Sequence, residues 1–298
     1  MRKLFLAFAA LFLFEAVKAQ FTENFADGDF TANPAWGGST SDYIVNASFQ
    51  LQSNNTTANA AFYLSTASTL ATTAQWDFDA TLAFNTSSAN YVDVFLIASA
   101  ADVTANTTNG YFVRMGGTDD EISLFRKDGA TAIKIIDGVN GTLNTSNNTL
   151  NIRVSRDASN QWSLNRDITG TGTNFFNEGL VTDITYAASS FFGIYIKQST
   201  ASFFQKHFFD NIIVQTYVPD TNPPVIVSAT ATSQSTVDIL FNEPVDLATS
   251  ETASNYVVNN GIGMPLTAVR DVANASLVHM NFAVNFPSNQ NHTVTINA

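Results

Sequence analysis

Trp76-Asp77-Phe78-Asp79-Ala80-Thr81-Leu82-Ala83-Phe84 alternates apolar residues with charged or small ones without a break. A period of two sends the two sets to opposite faces of an extended strand, whereas a helix would need apolar residues three and four apart. The pattern returns where Leu150, Ile152 and Val154 alternate with Asn151, Arg153 and Ser155. Further strand-like runs occupy residues 91–98, 111–115, 121–126, 133–136, 161–165, 191–197 and 203–217, the last long enough to be bent or broken. Asn109-Gly110, Asp128-Gly129, Asp137-Gly138 and Asn140-Gly141 supply the positive φ of tight turns, and Asp128-Gly129, between two strand signals, is the clearest hairpin. Outside the N-terminal leader no segment keeps a helical period for three turns. The chain up to residue 218 therefore reads as all-β, a large antiparallel jelly-roll sandwich of about a dozen strands.

Val218-Pro219-Asp220-Thr221-Asn222-Pro223-Pro224 sets three prolines within six residues, which removes ladder donors and forces an extended path. Residues 219–224 are thus expected to be a linker between a sandwich over 20–218 and a smaller one over 225–298. The second domain shows strand signals at 225–231, 236–241, 256–258, 266–270, 277–282 and 292–296. An Ig-type sandwich takes about seven strands and about 100 residues. This smaller Ig-like domain is accordingly expected to be incomplete, with further domains of the same polypeptide beyond Ala298.

The first residues carry a different signal. Arg2 and Lys3, the apolar run from Leu4 to Phe14, and Val17-Lys18-Ala19 before Gln20 have the n-, h- and c-regions of a secretory signal peptide. Residues 1–19 are expected to be removed, leaving a secreted or extracellular chain, a candidate for attachment at the cell surface. The apolar run is shorter than the roughly 20 residues of a membrane span. Cleavage takes Arg2, Lys3 and Lys18 from the 13 bases and Glu15 from the 25 acids, leaving 10 against 24, a net charge of −14. With so few cations and no basic run, nucleic acid and anionic lipid surfaces are excluded as expected partners. The chain has no cysteine, so each domain must be held by its core, and 25 phenylalanines supply the bulk.

Gly110-Tyr111-Phe112-Val113-Arg114, Ile152-Arg153-Val154-Ser155-Arg156-Asp157 with Gln161-Trp162-Ser163-Leu164, Phe192-Gly193-Ile194 and Phe209-Asp210-Asn211-Ile212 resemble a concanavalin A-like (laminin G-like) jelly roll over roughly residues 21–217. Asp220-Thr221-Asn222-Pro223-Pro224-Val225, Asn242-Glu243-Pro244-Val245 and Asn255-Tyr256 are similar to the bacterial Ig-like domain of S-layer (SbsA-type) proteins. Together the resemblances imply a large secreted bacterial surface protein. They also frame the one enzyme-like pair, Asp77 and Asp79, which share a strand face at a spacing suited to flanking a glycosidic bond. Glucanases of the resembled fold carry a Glu-x-Asp-x-(x)-Glu strand, and here Asp77-Phe78-Asp79-Ala80-Thr81-Leu82 lacks the third acid. No catalytic residue is therefore assigned, and a polysaccharide hydrolase or lyase and a structural surface-layer segment stand as alternatives.

Two acidic groups are candidates for a structural calcium ion, with no cofactor required: Asp119-Asp120-Glu121, and Asp27 with Asp29 near Asp210, since the first and last strands of such a sandwich usually pair. No histidine pair has metal spacing, and no Gly-x-Ser-x-Gly elbow is present. If Val92, Val94, Leu96, Ile152, Val154, Ile194 and Ile196 face the core, the opposite face presents Tyr91, Asp93, Arg153, Tyr195 and Lys197. Aromatic plates beside hydrogen-bonding ends suit a polysaccharide or cell-surface glycan. The expected activity is binding or adhesion by the jelly roll, with the Ig-like domain as a spacer. Trp36 and Trp162 are expected in the core.

Overall fold

The computed structural model describes residues 19–297. The expected signal peptide lies outside them except for its last residue. In chain order the strands of the large domain are β1 (Ala19–Glu23), β2 (Trp36–Gly38), β3 (Tyr43–Val45), β4 (Leu51–Ser53), β5 (Ala61–Ala67), β6 (Ala74–Leu82), β7 (Tyr91–Ala98), β8 (Gly110–Gly116), β9 (Glu121–Asp128), β10 (Thr131–Ile136), β11 (Asn148–Arg156), β12 (Gln161–Asp167), β13 (Phe176–Thr182), β14 (Phe191–Lys197) and β15 (His207–Thr216). They form two antiparallel sheets. The eight-stranded sheet runs β13-β12-β11-β6-β15-β4-β3 with β1 also on β15, and the seven-stranded sheet runs β10-β9-β8-β7-β14-β5-β2.

Strand β6 sits inside the larger sheet because its alternation is unbroken. Ala74, Trp76, Phe78, Ala80 and Leu82 are buried while Gln75, Asp77, Asp79 and Thr81 are partly exposed. Each large side chain withdrawn from water contributes about 1.5–3 kcal/mol. Val92, Val94 and Leu96 from β7 and Ile194 and Ile196 from β14 meet this layer from the opposite sheet, all in one core cluster with Ile152 and Val154. Trp36 and Trp162 are buried as expected, and Trp162 stacks on Trp76 with ring centroids 5.6 Å apart.

The first and last strands of the domain pair, with Glu23 opposite Ile212 and Phe21 opposite Val214. The run 203–217 is broken as its length suggested: a 3-10 turn, Ala201–Phe203, precedes β15, and the β15 register shifts between Asp210 and Ile213. Asp128-Gly129 makes the expected hairpin between β9 and β10, with Gly129 at φ 61°. Asp137-Gly138 is not a hairpin turn. Gly138 lacks a positive φ, and its glycine is required because a Cβ there would lie 2.1 Å from the Ile122 carbonyl oxygen.

Six strands follow the proline-rich segment: β16 (Ile226–Ala231), β17 (Thr236–Phe241), β18 (Tyr256–Val258), β19 (Thr267–Arg270), β20 (Leu277–Asn281) and β21 (Val294–Ile296). They make a four-stranded sheet, β16-β17-β20-β19, and a two-stranded one, β18-β21. Their core is their own, built from Val237, Ile239, Phe241, Tyr256, Val278 and Met280 among others. No helix among the described residues is long and apolar enough to cross a membrane.

Candidate functional site

The outward face of the seven-stranded sheet is built row by row from strand register. Tyr63, Tyr195, Asp93, Arg114 and Ser123 oppose one another across β5, β14, β7, β8 and β9. The row on one side reads Ala61, Lys197, Tyr91, Gly116 and Glu121, and the row on the other reads Ser65, Gly193, Phe95, Phe112 and Phe125. Since alternate residues share a face, all three rows point the same way. Tyr91, Asp93, Tyr195 and Lys197 are thereby brought together as their sequence pattern suggested.

Arg114 organises the patch. Its Nε and Nη2 each donate to a different Asp93 carboxylate oxygen at 2.7 Å, a bidentate pair that fixes the guanidinium plane. That plane lies 4.2 Å from the centre of the Tyr91 ring, and the Lys197 ammonium is 5.6 Å from the same ring. Burial pushes the Asp93 carboxyl above its usual range, and the hydrogen bonds and charge of Arg114 offset this only in part. Burial likewise raises the phenols of Tyr91 and Tyr195, so both hydroxyls stay protonated near neutral pH and can donate as well as accept.

The third row is covered by the connection over residues 99–109. Val103 is fully buried against Phe95, Ala98 and Phe112 in a satellite cluster outside the main core. Gly193 makes this possible, because a Cβ there would approach Val103 Cγ1 to 2.8 Å. Lys127 Nζ donates to the Ala105 carbonyl at 2.9 Å and Asn109 Oδ1 accepts from Gly129 N at 2.8 Å, pinning the connection to the β9–β10 hairpin. At its edge opens a cavity of about 200 Å³ lined by Asp93, Phe95, Arg114, Lys127 and Tyr195 among others. A half-covered apolar floor thus adjoins an open row of neutral phenols and an ion pair. Sequence reading missed Arg114, Phe112 and Phe125. Their signal was the same alternation in residues 111–115 and 121–126, which goes unread without the β7–β8–β9 register.

Arg153 does not belong to this group. It stands on β11 in the eight-stranded sheet, opposite Asp77, and its Nε donates to Asp77 Oδ1 at 2.6 Å. The pairing also accounts for the two aspartates of β6. Asp77 receives a second hydrogen bond from Gln75 Nε2 at 2.7 Å, and Asp79 accepts from the side-chain amides of Asn151 and Asn211. Each carboxylate is thus held by its own donors, and Asp79 also has Asp210 opposite it on β15, whose carboxyl is raised by burial and by the Asp79 charge.

The acidic turn Asp119-Asp120-Glu121 gathers around a side-chain cation. The β9–β10 hairpin swings Lys134 Nζ to 2.5 Å from Glu121, 2.6 Å from Asp137 and 3.5 Å from Asp119, while Asp120 accepts from Thr86 Oγ1 at 2.6 Å. Asp27, Asp29 and Asp210 are not gathered into a ligand set: among the described residues no group of three or more His, Cys, Asp or Glu is arranged to hold a metal. Asp27 Oδ1 accepts from Asp29 N, Asp29 caps Thr31, and Asp210 faces Asp79 across the β15–β6 ladder. The strand pairing behind that expectation is correct, but each carboxylate turns to local partners.

Comparison of the sequence with protein-family models and with curated proteins finds no match. Solved structures do match in shape. The VIP36 exoplasmic/lumenal domain in its Ca2+/Man3GlcNAc-bound form aligns with a TM-score of 0.51 and 8% identity over 70% of this chain and 93% of that one. The large domain is similar to it in fold. The metal-free form of the same VIP36 domain gives 0.51 over 69% and 95% of the two chains at 8% identity. The carbohydrate binding module CBM66 from Bacillus subtilis gives 0.43 over 60% and 94% at 10% identity. At 8% identity the VIP36 likeness bears on fold alone, the two-sheet sandwich, consistent with the concanavalin A-like jelly roll expected from residues 21–217.

Proposed function

We propose that the large domain is the glycan-binding module of an exported, cell-surface or secreted protein, with residues 225–298 serving as an Ig-like spacer. The observation that carries this reading is the three-row face centred on Tyr195, Asp93 and Arg114. Phenol rings offer flat apolar surface to the C–H face of a pyranose, while protonated hydroxyls, a fixed guanidinium and the Lys197 ammonium offer directional contacts to sugar hydroxyls. Support also comes from the fold: the VIP36 domain is solved with Man3GlcNAc, on the same kind of sandwich. No ion enters the proposal.

A glycan array on the chain from residue 20 should return a binder, and titration of that sugar against Tyr91→Ala with Tyr195→Ala should show affinity reduced ten- to a hundredfold, about 1.4–2.8 kcal/mol. Binding undiminished in the double variant, or no binder on the array, overturns the assignment. Export is tested separately. Secreted material should begin at Gln20 or its pyroglutamate by N-terminal sequencing, and extracellular protein beginning at Met1 would refute it.

A further inference from the structure

Three of the basic residues left after residue 19 stand on the outward face of the seven-stranded sheet. Lys197 follows Tyr195 by two residues on β14 and Lys127 follows Phe125 by two on β9, so both share the face of Arg114 and flank it from opposite sides. Most other cations are occupied: Arg126, Lys134, Arg153 and Arg166 each meet a carboxylate, and Arg156 is buried on backbone carbonyls. Lys127 Nζ instead donates to the carbonyls of Ala105 and Gly129, and Lys197 Nζ faces the Tyr91 ring. Arg114 is engaged along one edge only. Its Nε and Nη2 hold Asp93, while Nη1 donates to no atom among the described residues and is open to solvent. The end of the guanidinium thus keeps one N–H on Nη1 and one on Nη2 in the parallel fork that fits a planar carboxylate.

We propose, resting on the glycan-binding reading above, that the sugar taken by this face is a uronic acid, its ring in the cavity of about 200 Å³ beside Tyr195, Phe95 and Phe112 and its carboxylate on the free fork of Arg114, with Lys127 supplying charge. Arg114 and Lys127 both line that cavity. Two of the three ammonium donors of Lys127 go to carbonyls, which leaves one. Burial lowers the Lys127 pKa because neutral carbonyls do not replace the lost hydration of a charge, and an anion in the cavity would. The charge of Asp102 favours the same ammonium, but that side chain is exposed and turns to Thr104 N and Oγ1. Arg114, Lys127 and Lys197 against Asp93 and Asp102 leave the face a positive excess on an acidic chain, whose remote carboxylates are screened beyond about 8 Å in physiological salt. A neutral sugar would use the rings and leave the fork without an acceptor. The cavity is smaller than the roughly 300–1,000 Å³ of sites that enclose drug-sized ligands, so it takes one ring, a chain end or a branch.

The test titrates the chain over 20–298 calorimetrically with oligogalacturonate, oligoglucuronate and an alginate oligosaccharide, each beside its methyl ester, which keeps the ring and removes the charge. At least one acid should bind at least tenfold more tightly than its ester, and the ratio should shrink as salt is raised. Lys127→Gln should cut that ratio at least threefold. Lys127 also pins the connection over residues 99–109, so Asn109→Ala, which removes the bond from Gly129 N to Asn109 Oδ1 and touches no charge, should keep the ratio. A neutral glycan bound as tightly as any acid overturns the inference and leaves the glycan-binding assignment standing, whereas no sugar bound at all, acid or neutral, removes both. A sulfated oligosaccharide that outbinds every uronate overturns the planar-carboxylate assignment. Equal loss of the ratio in Lys127→Gln and Asn109→Ala overturns it too, by tracing the effect to the displaced connection.

Discussion

Replacing Arg156 with methionine is expected to lower the unfolding free energy of the large domain by about 3–5 kcal/mol, because several buried carbonyls lose their donor at once. Arg156 is completely buried at the end of β11. Its Nη1 donates to the carbonyls of Ala71 at 2.9 Å and Tyr186 at 2.7 Å, and its Nη2 to that of Asp183 at 3.2 Å. The guanidinium carbon also lies 5.0 Å from the Trp162 ring centre and 5.7 Å from that of Tyr111. Methionine matches the stem but offers no donor, so three carbonyls lose their partner together, each at about 1–3 kcal/mol where water cannot replace it.

The loss should spread through the residues Arg156 holds in place. Tyr111 Oη and Arg126 Nη1 both donate to the Asp183 carboxylate at 2.5 Å, and Trp162 Nε1 donates to the Asp183 carbonyl at 3.1 Å. Burial alone would raise the Asp183 carboxyl, but these bonds and those from Thr185 outweigh it and hold it at about 2. Urea titration followed by tryptophan fluorescence reads the change directly, since Trp162 stacks on Trp76. Arg153→Met is the control: its side chain is 44% exposed in a pair with Asp77, and such pairs contribute about 0–1 kcal/mol. If Arg156→Met cost no more than that control, the anchoring role of Arg156 would be disproved.

Arg156 and Arg153 also show what was legible in the sequence. They lie three residues apart on one strand, and alternation alone sends them to opposite faces. That much was readable, as were the strand positions, because burying one face of a sheet leaves a period-two trace in the residues themselves. What alternation does not encode is which sheet a strand joins. Ile152 and Val154 point at the core just as Val92 and Ile194 do, yet from the opposite layer. Grouping Arg153 with Tyr91 and Tyr195 followed from treating "away from the core" as a single surface, when a sandwich has two.

Short strands were the other loss. β2, β3 and β4 each span three residues, too few for a periodic signal, and β13 reads Phe-Asn-Glu-Gly-Leu-Val-Thr with no buried residue. Strands this short or this exposed are set by the register of their neighbours. The partners of the acidic groups were illegible for a related reason. Asp119, Asp120 and Glu121 cluster in sequence, but the cation that satisfies them, Lys134, arrives only through the β9–β10 hairpin. By contrast all six strands after the proline-rich segment were visible, β17 and β20 through a buried alternation of their own, although connections as long as residues 242–255 and 282–293 separate some of them.

The domain should also lose stability as pH falls below neutrality, through His207. This residue opens β15 fully buried, with Nδ1 3.0 Å from Ser53 Oγ, its ring 4.8 Å from that of Phe84, and Nε2 without a partner among the described residues. Burial pushes its pKa down to about 3, from 6.5 in an open chain. Between those values the unfolded chain takes up a proton that the folded chain refuses, so the stability present above pH 6.5 declines as pH falls toward 3. The slope approaches about 1.4 kcal/mol per pH unit, or about 2–3 kcal/mol by pH 4.5. His279 acts with the opposite sign. Hydrogen bonds to Asp238 and Asp271 raise its pKa, so its contribution is complete below 6.5 and fades as pH rises through the raised value. Comparison with His207→Gln cancels that contribution, along with those of the exposed carboxylates. The variant is expected to be less stable than the parent at pH 7.5, because its amide fits the Phe84 pocket less well, and to recover about 2–3 kcal/mol relative to the parent by pH 4.5. Parallel stability curves for the two chains across that range, measured by urea unfolding, would show that His207 is protonated in the folded state and that its burial does not couple folding to pH.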